Sequence, residues 1–321
     1  MKYAVYDTVV PQDKRQETNE KLLYLIDSGK AGDYGISGDD IYNLYTGDGG
    51  LHGLSRQDYE NYASYSKAKK EIENGQFFTP PVLCHLVTKA LSPPSDAAVA
   101  DLTCGAGAFF NFMPAENNLY GCELDMKAYK VAKYLYPRAN LVNGDIRSYQ
   151  PSIRFDYVVG NPPYNLRWWV EDDEKTLSQL YYCWKAAELL KPFGILAMIV
   201  PAAFLSDDFS DGAYIREMEE RFSFLGHVAL PANAFSFLGV WHYPVKLQFW
   251  QKKSTAADWT SKRYSTDCAD IYIPSGHPVM AATALYKKFV MVAKAELAGN
   301  RNKVFLELAQ LKTTKSTFLY Q

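Results

Sequence analysis

The chain has 321 residues, of which 48% are hydrophobic and 22% charged, with a formal net charge of −2. That composition can bury a substantial core and excludes a disordered polymer, and the near-neutral balance gives no overall attraction to nucleic acid or to an anionic membrane. Five cysteines (Cys84, Cys104, Cys122, Cys183, Cys268) without any C-x-x-C spacing suggest neither a disulfide framework nor a zinc site, and favour reduced thiols in the cytoplasm. The first residues lack the basic-then-apolar pattern of a signal peptide. The longest apolar run, GILAMIVPAAFL, is too short and too broken by proline to span a bilayer.

In chain order, residues 1–74 read as polar and helical. Ser55 followed by Asp58 resembles a capping box, opening a helix that runs to the Asn74-Gly75 stop. Tyr59, Tyr62 and Tyr65 fall at helical spacing there, with Lys67, Lys69 and Lys70 towards its end, the pattern of a packing stripe with dipole-compatible lysines. From 75 to about 252 short apolar strands alternate with helices. The strands are expected at 97–103, 118–123, 139–144, 155–160, 194–200, 223–230 and 243–251, and the helices near 80–91, 125–136, 175–191 and 207–221. Such alternation predicts an α/β fold with a doubly wound, mostly parallel seven-stranded sheet covered on both faces. Only a loop, PANAFSFLGVWHY, joins the last two strands, so these should pair antiparallel. Residues 253–321 hold one amphipathic pattern, with Leu285, Phe289, Val292 and Leu297 on a face, and residues 255–321 carry a net charge of +4 that could meet phosphates.

In a doubly wound sheet ligands bind beyond the carboxyl ends of the strands, so the residues that end each strand form a set. The first expected strand runs into DLTCGAGAFF, where Asp101, Gly105 and Gly107 make a glycine-rich turn that lets backbone approach a ligand closely. The second ends in Glu123, about twenty residues later, where a carboxylate can accept from the two hydroxyls of a ribose. The pyrophosphate fingerprint of dinucleotide sites is absent, which points to a nucleoside without phosphates. The third ends at Asp145, placed to accept from an adenine amino group. Each acid alone also reads as a helix cap or turn residue.

The fourth strand ends in GNPPYN. Pro162 and Pro163 fix their φ angles and donate no backbone hydrogen bond, so with the Asn161 side-chain oxygen they make a rigid set of acceptors. A group that needs acceptors and no donor is an NH₂. Held by both N–H bonds, an exocyclic amine is pushed towards tetrahedral geometry and its lone pair is freed for attack. Tyr164 offers a ring on which a base can stack. Arg167, Trp168 and Trp169 follow directly, either as a loop packed on its own domain or as a contact to phosphate or to the gap left by an extruded base.

The segments GQFFTPPVLCHLV, DLTCGAGAFF, CELD, NGDI and GNPPY stand in the order and spacing of S-adenosylmethionine-dependent N6-adenine DNA methyltransferases. The chain resembles most the gamma-type enzymes and the modification subunits of type I restriction systems, over about residues 75–252. The resemblance implies a Rossmann-like class I methyltransferase domain there, with a helical segment at 1–74 and a C-terminal extension at 253–321 that contacts DNA or a partner. It implies that Phe78, Thr79 and Pro80 close over the methionine end of the cofactor, that Asp101, Cys104, Gly105 and Gly107 line its amino-acid part, and that Glu123 holds the ribose. Leu124, Asp145 and Ile146 would take the adenine ring, and Asn161 would touch both cofactor and target. Asn161, Pro162, Pro163 and Tyr164 would carry the catalytic grip. A further aromatic from the loop before the last strand often packs on the target base, with Phe235 the candidate and Phe237 and Trp241 also possible.

Thr103 and Ala108 depart mildly from the family pattern. The larger departure is that few residues remain for target recognition, which leaves a specificity subunit, relaxed specificity or the terminal segments to aim the enzyme. Double-stranded DNA and such a subunit are therefore the implied partners. Methyltransferases acting on RNA bases or protein glutamine amides share the N-P-P-Y tetrapeptide, and a catalytically silent binding protein can keep the fold. The GQFFTPP segment and the intact motifs favour the DNA enzyme.

Overall fold

The computed structural model describes residues 1–5, 12–47, 59–66, 77–171, 174–206, 212–230, 234–235, 243–254 and 269–270. The capping pair Ser55 and Asp58, Lys67, Lys69, Lys70, Phe237, Trp241 and the helix expected around Leu285–Leu297 lie outside the described residues.

The strands are β1 (Val99–Asp101), β2 (Leu119–Glu123), β3 (Asn140–Asn143), β4 (Phe155–Gly160), β5 (Arg167–Glu171), β6 (Glu174–Leu177), β7 (Leu190–Pro201), β8 (Phe222–Ala229), β9 (Val245–Lys252) and β10 (Ala269–Asp270). The helices are α1 (Gln12–Ser28), α2 (Gly38–Tyr42), α3 (Pro81–Leu91), α4 (Met126–Leu135), α5 (Ser178–Leu189) and α6 (Gly212–Arg221). One sheet runs β10-β8-β9-β7-β4-β1-β2-β3, and β5 pairs with β6 as a separate antiparallel hairpin. From β3 to β7 all pairings are parallel, whereas β9 is antiparallel to both β7 and β8.

All seven expected strands form. The two-residue β10 adds an eighth at the edge, parallel to β8. The hairpin was not expected: residues 175–177 pair with Trp169, Trp168 and Arg167, so the helix read as 175–191 begins only at Ser178. β-Branched and aromatic residues in RWWVE and KTL, with Thr176 and Leu177 buried, favour pairing over a first helical turn.

Alternation within the central strands places neighbouring residues on opposite faces, and both faces are covered. On one side Tyr157 and Val159 of β4 and Ile195, Ala197 and Ile199 of β7 meet α3, α4 and the N-terminal segment. On the other, Val158, Leu196, Met198 and Val200 meet α5, α6 and Trp250. Helix α3 starts with Pro81 at its first position and buries every residue except Lys89. In α4 the buried Ala128, Val131, Ala132 and Leu135 form one stripe, and the Asp125 side chain accepts from the amides of Lys127 and Ala128 at its start.

The N-terminal residues are fastened to this domain. The Asn111 side chain accepts from Tyr3 N–H at 2.6 Å and donates to Tyr3 carbonyl at 3.0 Å, while Tyr3 stacks on Tyr42 and meets Tyr136 edge-on. Leu22, Ile41, Tyr42 and Tyr45 join the same core cluster as α3 and α4. Among the described residues, Cys84, Cys104, Cys122 and Cys183 are free and buried, and no helix is long and apolar enough to cross a membrane.

Gly107 has φ +85°, and a Cβ there would lie 2.7 Å from the Tyr136 ring and 3.0 Å from Phe110. Gly107→Ala should therefore lower unfolding free energy by about 2–4 kcal/mol, combining left-handed strain with overpacking. Urea unfolding reads this; a loss below ~1 kcal/mol would show that the turn relaxes freely.

Candidate functional site

The strand order reverses where β1 sits between β2 and β4, and a cavity of about 410 Å³ opens there beyond the carboxyl ends. That is the place and roughly the size of a small-molecule site in this architecture.

One wall comes from the turn after β1 and the end of β2. Gly105, at φ +55°, lies under the Phe78 ring, which would be 2.9 Å from an added Cβ, so the segment before α3 closes directly on the glycine turn. Gly105 N–H donates to Glu123 Oε2 at 2.7 Å, and Asp125 N–H donates to Glu123 Oε1 at 2.7 Å. Burial pushes the Glu123 carboxyl above the usual carboxylate range against those two amide bonds. Asp101 is fully enclosed. It accepts from Thr103 N–H at 3.1 Å, and burial, reinforced by Glu123, raises its pKa to about 8. The Thr103 hydroxyl oxygen is buried in this lining without a hydrogen-bond partner among the described residues.

The opposite wall is apolar, from Ile146, Leu166 and Trp168, with Leu124 at the mouth. Asp145 lies at its edge. Arg147 holds it by the side-chain Nε at 2.9 and 3.0 Å and by the backbone N–H at 2.8 Å, which draws the Asp145 carboxyl below its ordinary value. Two enclosed carboxyl groups, an orphan hydroxyl, a glycine cradle and an apolar slot suit a ligand with hydroxyl and amino donors at one end and a planar ring at the other.

The turn after β4 is pinned at four points. Asn161 Nδ2 donates to the Phe77 carbonyl at 3.1 Å, which orients the amide. The Ser178 hydroxyl donates to the Pro163 carbonyl at 2.6 Å. Asn165, at φ +58°, exchanges bonds with the buried Gln179: its N–H donates to Gln179 Oε1, and Gln179 Nε2 donates to its Oδ1, both at 2.9 Å. Pro163 is thereby committed, and no described group donates to the carbonyl of Pro162, the residue that follows Asn161. The Tyr164 hydroxyl donates to Asn161 Oδ1. Its ring stacks on Tyr243, with centroids 6.1 Å apart and an interplanar angle of 8°, and Asn165 Nδ2 reaches the Tyr243 hydroxyl at 3.4 Å.

Of the residues singled out in the sequence, Phe78, Thr79, Asp101, Cys104, Gly105, Glu123, Leu124, Asp145, Ile146, Asn161 and Pro163 line the cavity together. Pro80 caps α3, Gly107 packs under Tyr136, and Pro162 and Tyr164 belong to the adjoining turn. Phe235 is buried at 4% exposure in the core cluster on which Tyr164 also packs. Arg167 is exposed, whereas Trp168 turns inward onto Tyr181 and Trp169 is exposed with Lys175 Nζ 4.0 Å from its ring centroid. Sequence reasoning missed Trp168 as a cavity wall, and it missed Tyr243, Ser178 and Gln179. The last three had no motif to mark them, because their role arises only when α5 and β9 pack beside the turn.

The sheet order and cavity define the architecture of class I methyltransferases. A protein of Listeria monocytogenes described as a class I S-adenosylmethionine-dependent methyltransferase superposes with a TM-score of 0.51, at 14% identity, over 90% of this chain and 99% of that one. The family model for N-6 DNA methylases matches residues 56–260, and the chain belongs to that family. The chain is 32% identical over 161 residues to the type II methyltransferase M.TthHB8I of Thermus thermophilus, covering 42% of this chain and 37% of that protein. It is 33% identical over 116 residues to the type I restriction enzyme MjaIX methylase subunit of Methanocaldococcus jannaschii, covering 30% and 20%. The chain thus spans less than half the length of the curated relatives it matches.

The buried Asp101 makes stability depend on pH. Its folded pKa of about 8 exceeds its ordinary value of 3.8, so between those limits the folded state keeps a proton that the unfolded state has lost, and stability falls as pH rises through that window. Asp101→Asn removes this slope. Its melting temperature should match the parent near pH 4 and exceed it by a margin that grows up to pH 8, where thermal unfolding in parallel buffers reads it. A margin independent of pH would mean that Asp101 is ionised in the folded protein.

Proposed function

We propose that this chain transfers a methyl group from S-adenosylmethionine to the N6 amine of adenine in DNA. The observation that carries the reading is the turn at Asn161–Asn165, where an oriented Asn161 side-chain oxygen is followed by two prolines that donate no backbone hydrogen bond, at the rim of a nucleoside-sized cavity. Membership of the N-6 DNA methylase family supports it.

S-adenosylmethionine supplies the methyl group. In this reading Asp101, Thr103 and Gly105 hold its amino-acid end, Glu123 the ribose, and Asp145, Ile146 and Trp168 the adenine. Phe78 and Thr79 cover the methionine side. Asn161 Oδ1 and the Pro162 carbonyl then accept the two N–H bonds of the target amine and free its lone pair. The amine takes over the acceptor that the Tyr164 hydroxyl now occupies, and the base stacks against Tyr164. Tyr243, already parallel to that ring, forms the other side of the stack when the pair spreads. A paired adenine cannot reach this turn, so the base must leave the duplex first.

In this reading the methyl-transfer unit is 75–252, and target recognition falls to elements outside it. The type I relative supports a separate specificity subunit in that role, with the 1–74 and 253–321 segments as further contacts to DNA or partner. Four free, buried thiols support a reducing, cytoplasmic setting.

The test is transfer of labelled methyl to unmethylated genomic DNA, RNA and cell protein in parallel, followed by digestion. Label in N6-methyladenine from DNA is expected; label only in RNA or in glutamine would overturn the DNA assignment. Asn161→Ala should slow single-turnover transfer at least ~100-fold while cofactor affinity stays within about three-fold, because the lost contact serves the transition state. Undiminished transfer would remove Asn161 from the grip. Tyr243→Ala should weaken DNA binding by about 1–3 kcal/mol at unchanged cofactor affinity, as one stacking surface is lost; full DNA affinity would place the base elsewhere.

A further inference from the structure

Gly160, directly before the amine grip, has no positive φ to explain it. What it lacks is room: an added Cβ would lie 2.1 Å from the Tyr182 hydroxyl oxygen and 3.2 Å from Asp101 Oδ1. The glycine is therefore a slot for a phenol that comes from α5 and is completely buried. That hydroxyl donates to the Val159 carbonyl at 2.6 Å and accepts from Leu102 N–H at 3.3 Å. Val159 is the next-to-last residue of β4 and Leu102 follows β1, and the two strands are adjacent and in register, with Asp101 opposite Val159. A single buried oxygen thus ties together the two central strand ends at the point where each leaves the sheet.

These ends feed different halves of the site. β1 ends at Asp101 and leads to Thr103 and Gly105, on the cofactor side of the cavity; after β4 comes Asn161, on the target side. Ser178 and Gln179, one turn earlier on the same helix, hold only the target half. Tyr182 reaches both. Burial keeps its hydroxyl protonated, so it remains a donor across the working pH range, and its proximity to Asp101 draws that carboxyl back down against the upward push of burial.

We propose that Tyr182 is a positioning residue: by bridging Leu102 and Val159 it fixes the separation between the cofactor loop and the amine grip, and so sets how closely donor and acceptor meet. This rests on the methyl-transfer reading. Tyr182 does not itself line the cavity; it acts through the residues of the two loops that do. Displacements of an ångström between reactants change rates steeply while barely altering the binding of either one.

The experiment compares wild type, Tyr182→Phe and a chain carrying p-aminophenylalanine at position 182, which keeps a hydrogen-bond donor at the ring's end. In each, S-adenosylhomocysteine affinity is measured by calorimetry, single-turnover methyl transfer at saturating cofactor and DNA by label, and exchange of the Leu102 amide by NMR or mass spectrometry. Tyr182→Phe should slow transfer roughly 10–100-fold and speed Leu102 exchange, with S-adenosylhomocysteine affinity changed less than about three-fold. The p-aminophenylalanine chain should recover most of the rate. Undiminished transfer in Tyr182→Phe, or a slowed rate that the amine fails to restore, would overturn the proposal. Should the Phe variant not fold, the p-aminophenylalanine chain decides: near-parental transfer upholds the donor's role and its loss rejects it. If wild type moves no methyl to any acceptor, the functional reading fails; the bridge is then judged separately by Leu102 exchange, and an unprotected wild-type amide overturns it.

Discussion

The constraint on which the site depends is that a turn built from two prolines cannot satisfy itself. Pro162 and Pro163 bring carbonyls but no N–H groups, so the chain at 161–165 must find its partners elsewhere or leave buried acceptors without donors. The start of α5 supplies them. Ser178 meets the Pro163 carbonyl, Gln179 meets both sides of Asn165, and Tyr182 meets the Val159 carbonyl just upstream. One acceptor is left over at Pro162, beside an Asn161 amide already oriented by the Phe77 carbonyl. Rigidity here follows from hydrogen-bond arithmetic: Asn161, Pro163, Tyr164 and Asn165 are each engaged by a neighbouring group.

The cofactor half follows a related logic with buried carboxyl groups in place of carbonyls. Desolvation raises the pKa of both Asp101 and Glu123, with Glu123 adding to the rise at Asp101 and Asp125 to that at Glu123. Such a pair is unfavourable in the isolated protein and is steadied by the amides of Thr103, Gly105 and Asp125. A ligand that brings hydroxyl and ammonium donors relieves that strain, so the site stores affinity as unfavourable burial. Asp145 works differently, as Arg147 neutralises it at the cavity's edge and must share it with any amine that arrives.

Much of this was legible in the sequence, because strand ends carry the chemistry in a doubly wound fold and the apolar runs marked those ends within a residue or two. The seven core strands, the antiparallel last pair and the gathering of Asp101, Glu123, Asp145 and Asn161 at one sheet edge all follow from that rule. What could not be read depends on packing between distant segments. The RWWVE and KTL stretches show strand propensity, but the sequence between them carries no turn signal, so the second strand merged into the helix that follows. Tyr182 looks like any aromatic on a helix; only the missing Cβ of Gly160 reveals where its hydroxyl goes. Tyr243, in a sequence rich in aromatics, is distinguished solely by its alignment with Tyr164, while Phe235 a few residues earlier is packed in the core.

The central claim is that the turn grips an NH₂ through acceptors alone. It is tested most directly by the affinity of the full chain, saturated with S-adenosylhomocysteine, for matched duplexes that carry deoxyadenosine or deoxyinosine at one mispaired position. Deoxyinosine presents a carbonyl where adenine presents the amine. The account predicts at least ~10-fold tighter binding of the adenine duplex, since a carbonyl set against Asn161 Oδ1 and the Pro162 carbonyl leaves acceptors facing acceptors. Equal affinity for the two would contradict it.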